Sequence, residues 1–426
     1  MPQGSPRLPF YESPPLQTGE CPALPTPSQT VARVAEIRAV HDGFAWFRSH
    51  MRELEDMQLE VTSVPAPPWG EAARAEWLLA RFEEAGLSEV HRDEVGNVVG
   101  VRQGGEPGGP FIALSAHLDT VFPAGTPIEV VREGGKLYGP GISDNSSGVI
   151  ALLAIARVLH ETNVAHSMPI LFIGNVGEEG EGNLRGMRHI FEQSKWADKI
   201  AALVVLDGAG TDTIIAEGLG SRRYEVTVHG AGGHSWSDFG VLNPIVALAC
   251  IIHRFSQTPV PANPKTTLNI GTIAGGTSVN SIPQSASMRV DTRSASVEQL
   301  DRLERALRQA VEDGIAETNA KKKQEHLSAQ VNVIGDRPAA ELPADSPLLK
   351  MVRAVDAQLN ISARLQRAST DANIPLSLGR QSIAIGAGGS GGGAHTMNEW
   401  YDPAGRDQGL KRILLLTLAL CGVSEE

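Results

Sequence analysis

Cysteine is almost missing from this chain: Cys21, Cys250 and Cys421 are the only three in 426 residues. They are odd in number, far apart and free of any Cys-x-x-Cys pair. That excludes a disulfide framework and a thiolate zinc site, and it suits a reducing, cytoplasmic setting. No apolar run approaches the roughly 20 residues that a membrane-spanning helix needs, and no cationic, apolar signal core opens the chain. Positive charge is also in deficit, with 37 Lys and Arg against 49 Asp and Glu and a net charge of −12. Neither nucleic acid nor an anionic membrane is expected as a partner.

What is present is an α/β pattern. Short apolar runs such as "FIALSA", "PILFIGN", "AALVVLD" and "SIAIGA" end in polar residues or glycine. Helical stretches separate them, among them "EAARAEWLLARFEEAG" and "GVIALLAIARVLHE". Strands alternating with helices predict a mixed, largely parallel sheet flanked by helices. Residues 220–336 break the rhythm and read strand, helix, strand, strand, helix, strand. In the second of those helices Leu300, Leu303, Leu307, Val311 and Ile315 form an apolar stripe. The order βαββαβ is the split, ferredoxin-like arrangement. The expected organisation is a proline-rich arm (1–30), a catalytic domain in two parts (31–219 and 337–426), and an inserted α+β domain (220–336).

The chemistry gathers where apolar runs stop. "SAHLDTVFP" places His117 and Asp119 two apart, on one side of an extended chain. "GISDNSSG" carries Asp144, "GNVGEEGEGN" the pair Glu178 and Glu179, "VVLDGAG" Asp207, and "GGSGGGAHTMNEW" His395. In α/β proteins the ends of strands are where sites form. Two imidazoles and several carboxylates are hard-to-borderline ligands that suit Zn²⁺. Clustered carboxylates repel one another, and a pair of divalent metals relieves that repulsion.

On these motifs the sequence resembles the cocatalytic-zinc peptidases of metallopeptidase family 20, which include carboxypeptidase G, peptidase T, acetylornithine deacetylase and succinyl-diaminopimelate desuccinylase. "GAGGHSWSDFG", "GGTSVNSIP" and "VDTR" in the inserted segment strengthen the likeness. The resemblance implies a zinc-exopeptidase-like fold with a lid and dimerisation domain, and two divalent ions, Zn²⁺ first, with Co²⁺ or Mn²⁺ as alternatives. It implies that His117, Asp144 and Asp207 hold one metal, and that Glu179, His395 and the shared Asp144 hold the other. Asp119 would orient His117, and Glu178 would be the general base for a water shared by the metals. His234 would polarise the scissile carbonyl in a neighbouring subunit of a homodimer, while Asn280, Arg293 and Gly391 would bind substrate. The implied substrate is a short peptide, by the peptidase branch of the family, or otherwise an N-acyl amino acid. The stretch "DNSSG", which begins at Asp144, departs from several family members, which carry an acidic residue or methionine and then a lysine.

Overall fold

The computed structural model of the protein describes residues 25–105, 108–322 and 326–423. Most of the expected arm, Cys21 included, lies outside the described residues. The arm ends sooner than its prolines suggest, because a helix, Pro27–Ala35, begins inside the stretch assigned to it. Thr26 caps that helix, Gln29 closes a reciprocal capping box, and Pro27 sits in the first turn. There the proline's fixed φ and missing N–H do no harm. The helical pattern from Val31 onward divides into Pro27–Ala35, Arg38–Ser49 and Met51–Ser63.

The main sheet runs, edge to edge, Ser88–Arg92, Val98–Arg102, Ile170–Asn175, Phe111–His117, Ile200–Leu206, Gln381–Ile385, Thr213–Gly218 and Ala340–Glu341. A further strand, Arg364–Ala368, pairs with Thr213–Gly218. Phe111–His117 lies parallel to both of its neighbours, and Gln381–Ile385 is parallel to Ile200–Leu206. The edge pairs are antiparallel. The sheet is thus mixed, with a parallel centre buried on both faces, as its unbroken apolar runs require. The helix Ser146–Thr162 is apolar all round and buried for most of its length, so it is a core element and not a surface one.

A second hydrophobic cluster forms within residues 220–337. Its four strands are ordered Thr266–Gly275, Ser285–Ser294, Gly220–His229 and Ser328–Arg337, every pair antiparallel. Two helices, Pro244–Ser256 and Val297–Asn319, cover one face through Leu248, Ile251, Phe255, Leu307 and Val311. Against them the strand Gly220–His229 presents Tyr224, Val226 and Val228, all fully buried. The alternate residues Ser221, Arg223 and Glu225 therefore lie on the other face.

In the first core, the helices Pro347–Gln358 and Arg406–Cys421 are joined by a buried ion pair. Arg412 Nε and Nη2 donate to the two oxygens of Asp356 at 2.6 and 2.8 Å. Removing one partner strands the other charge in a dry environment. Asp356→Ala should therefore lower stability by about 3–5 kcal/mol. Urea unfolding of the variant checks this, and a loss under about 1 kcal/mol would mean that the guanidinium finds other partners.

Candidate metal centre

Ile170–Asn175, Phe111–His117 and Ile200–Leu206 are parallel neighbours, so their C-terminal ends share one edge of the sheet. His117 is the last residue of its strand, Asp207 directly follows Leu206, and Glu178 and Glu179 follow Asn175 after a short turn. Asp144 sits just before the helix Ser146–Thr162, and the Asp144–Asn145 peptide is cis. His395 comes from the loop after Ser390–Gly392, with a left-handed backbone (φ +64°).

Five of these residues, His117, Asp144, Glu179, Asp207 and His395, converge. His117 Nε2 lies 3.1 Å from Asp144 Oδ1 and 3.9 Å from Asp207 Oδ1. His395 Nε2 lies 3.1 Å from Asp144 Oδ2 and 3.1 Å from Glu179 Oε1. The two oxygens of Asp144 thus face different imidazoles. His117, Asp144 and Glu179 offer ligand atoms that all lie within 4.8 Å of one another. Among the described residues, no lysine or arginine pairs with Asp144, Glu179 or Asp207.

The imidazoles carry the electrostatic consequence. His395 is raised to about 10 by its hydrogen bonds to Asp144 and Glu179. Burial opposes a charge on His117, yet Asp144 and Asp207 outweigh it and raise its pKa well above the usual value. Burial also disfavours the charged form of Asp144, but His117 and His395 hold its pKa far below the carboxylate range. The cluster draws positive charge to itself, and its oxygen and imidazole donors fit a divalent metal.

Asp119 departs from the role expected for it. Its carboxylate accepts from the backbone N–H groups of Glu178 and Glu179, at 3.0 and 2.6 Å. The side-chain oxygen is 3.8 Å from His117 Nδ1, whereas the Asp119 carbonyl oxygen is at 3.0 Å. The ring is thus oriented by the Asp119 backbone, while the side chain fixes the neighbouring loop. Glu178 is buried, which raises its pKa well above normal, and Arg337 partly counteracts this.

The remaining predicted residues lie apart or at the rim. Gly391 borders a cavity of about 310 Å³ that also touches Asp144, Asp207, Gly208 and Ser390. A Cβ there would fall 2.2 Å from Ser143 Oγ. His234 and Asn280 are exposed neighbours on the second unit: Gly233–His234 pairs with Ser281–Ile282, and Ser235 N donates to the Asn280 carbonyl at 3.0 Å. Among the described residues, neither bonds to any of the five clustered side chains. Arg293 is half-exposed and donates to Asp291 at 2.8 Å.

Several contributors escaped the sequence reading. Glu399 is buried and accepts from the N–H groups of Gly141, Ser143 and Asp144 at 2.7–2.8 Å, so it shapes the turn that carries Asp144. Burial pushes its pKa up to about 7. Asp371, fully buried, accepts from Asn175 Nδ2 at 2.6 Å and is also raised to about 7 by burial. Arg337 binds Glu178 at 3.1 Å. The only local signal was the polarity of "MNEW", "STDAN" and "GDRP", which names no partner.

The model of Peptidase family M20/M25/M40 matches residues 113–419. Carboxypeptidase G2 of Pseudomonas sp. (strain RS-16) is 28% identical over 279 residues, which cover 63% of this chain and 64% of that protein. N-carbamoyl-L-amino-acid amidohydrolase of Paenarthrobacter aurescens is 36% identical over 140 residues, 32% of this chain and 30% of the relative. The matched stretch thus spans less than two thirds of either relative's length. Among solved structures, a tripeptidase from Staphylococcus aureus shares the fold, with a TM-score of 0.70 at 20% identity over 87% of this chain and 98% of that one. No helix among the described residues is long and apolar enough to cross a membrane. With the family match spanning most of its length and the same fold in a known tripeptidase, the chain belongs to peptidase family M20/M25/M40, a family whose relatives named here are hydrolases of peptide and amide bonds.

Proposed function

We propose that the protein is a dinuclear zinc-dependent exopeptidase that cleaves short peptides. The carrying observation is the position of Asp144, one oxygen toward His117 and the other toward His395. His117, Asp144 and Asp207 would hold one ion, and Asp144, Glu179 and His395 the other. When bound, the two metals supply Lewis acidity and bring a water's pKa toward about 7. The chain's own groups do the rest. Glu178, beside the cluster and buried, accepts a proton from the attacking water as the water oxygen bonds to the carbonyl carbon. The C–N bond then breaks as Glu178 returns that proton to the leaving amine.

In this reading residues 220–336 form the ferredoxin-like lid and dimerisation domain between the two catalytic parts, 31–219 and 337–426. His234 would reach the site of a second copy and polarise the scissile carbonyl. Its surroundings support contact with another chain: Trp236, Phe239 and Val279 are large apolar side chains left almost fully exposed beside it. Asn280 would bind a polar substrate group, Arg293 a carboxylate, and the backbone at Gly391 would face the substrate in the cavity beside Asp144. A second reading, hydrolysis of N-acyl amino acids, draws support from the amidohydrolase relative.

Metal analysis after zinc reconstitution should give about two ions per chain, and a value fixed at one under saturating zinc would remove the dinuclear centre. Glu178→Ala should keep its metal while losing most turnover on di- and tripeptides. Loss of metal along with activity would make Glu178 a ligand instead. Mixing inactive His234→Ala subunits with inactive Glu178→Ala subunits should restore partial activity, because one site of each mixed dimer is then intact. No recovery after proven subunit exchange would confine His234 to its own chain. The same peptides run beside N-acyl amino acids decide between the two substrate classes.

A further inference from the structure

The polar face of the second sheet is not open to solvent along its whole length; it grips the loop that carries Glu178. Strand register places Arg293 and Arg337 opposite Ser221, Asp291 opposite Arg223, and Arg289 opposite Glu225. Residues directly opposite one another share a face, so these side chains point away from the covering helices. Arg337 Nη1 donates to Glu178 Oε1 at 3.1 Å, and Nη2 donates to the Glu178 carbonyl. Arg223 Nη1 donates to the Gly180 carbonyl at 2.6 Å, and Arg289 Nη1 to Glu181 Oε1 at 3.1 Å. Arg337 also reaches Ser369 Oγ at 3.2 Å, and Asp336 N donates to Asn183 Oδ1 at 2.8 Å.

We infer that Arg337 is a positioning residue for Glu178, and that the sheet behind it sets where the base stands. The need for such a holder is geometric. Glu179 has extended backbone (φ −79°, ψ 143°) and turns its carboxylate to His395. Consecutive side chains along an extended chain diverge. Asp119 holds the backbone amides of both residues, but the contact that orients the Glu179 carboxylate does not orient that of Glu178, which faces Arg337 instead. A guanidinium holding both the carboxylate and the carbonyl of one residue restrains its side chain and its backbone together. Arg337 ends the last strand of the sheet, so displacement of that sheet would carry the base with it. This inference rests on the reading of Glu178 as general base.

The test uses full-length, zinc-loaded protein and the variants Arg337→Ala and Arg337→Lys. Arg337→Ala should retain metal and lower kcat on a peptide substrate by about 10²-fold, as a displacement of about 1 Å does, with KM nearly unchanged. Arg337→Lys, which keeps one donor, should recover part of the loss. In the Glu178→Ala background, adding Arg337→Ala should cost nothing further, because a residue acting through Glu178 has nothing left to act on. A raised KM at unchanged kcat, or a further tenfold loss in the double variant, would overturn the inference and make Arg337 a substrate-binding residue. Hydrogen–deuterium exchange supplies a readout that needs no substrate. Residues 177–184 should exchange faster in Arg337→Ala than in the parent, and unchanged exchange there would also overturn it. Wild-type protein that cleaves no amide would defeat the proposed function and leave the exchange result to decide this point. Should Arg337→Ala fail to fold, Arg337→Lys carries both measurements.

Discussion

Crowding of negative charge at one edge of a sheet is the constraint on which the rest of this structure depends. Asp144, Glu179 and Asp207 meet around two imidazoles, with Asp119 and Glu178 close behind. Carboxylates this close do not stay ionised together without positive charge between them. The structure directs the available positive charge with care. Arg337 goes to Glu178, and the oxygens of Asp144, Glu179 and Asp207 are left to His117 and His395. The charge that those oxygens still lack is what a divalent ion would supply.

Carboxylates outside the cluster organise those within it. Glu399 gathers the amides of Gly141, Ser143 and Asp144. Asp119 does the same for Glu178 and Glu179. Each ties a turn of the cluster to a second segment through backbone N–H groups, so the turn keeps its shape whichever side chains it carries. Outer contacts of this kind would hold the cluster ready for an ion. They also explain why strand ends alone do not suffice here. Asp144 and His395 come from turns, and a turn with no strand ladder needs another anchor.

What the sequence revealed follows from the range of the forces involved. Apolar runs ending in His117 and Asp207 are local patterns, and strand and helix period expose them directly. The stripe from Leu300 to Val311 was legible for the same reason and is buried as expected. Glu399 and Arg337 were not legible, because their partners lie 255 and 159 residues away along the chain. Asp119 lies beside His117 as its spacing predicts, but its carboxylate turns to the amides of Glu178 and Glu179 and its carbonyl to the ring. Spacing shows that two side chains share a direction, yet it cannot say whether a ring meets the carboxylate or the carbonyl of the same residue. The arm was misjudged at its end, because a proline in a helix's first turn reads, out of context, like one in a loop.

The second unit shows how one alternating strand can serve two purposes at once. Along Gly220–His229, Tyr224, Val226 and Val228 build a private core with the two helices, so the unit does not need the main sheet to bury its apolar surface. Its other face is thereby free to be polar, and Arg223, Arg289 and Arg337 occupy it. Contacts between the units are consequently ion pairs and carbonyl hydrogen bonds, which exchange with water at little net cost where they are exposed. A continuous apolar interface would have bound the unit rigidly to the main sheet. Instead the attachment is polar and concentrated on the loop 178–183. Movement of the unit would therefore be felt first in that loop, at Glu178 and its neighbour Glu179, and only later at His117, Asp144 or Asp207.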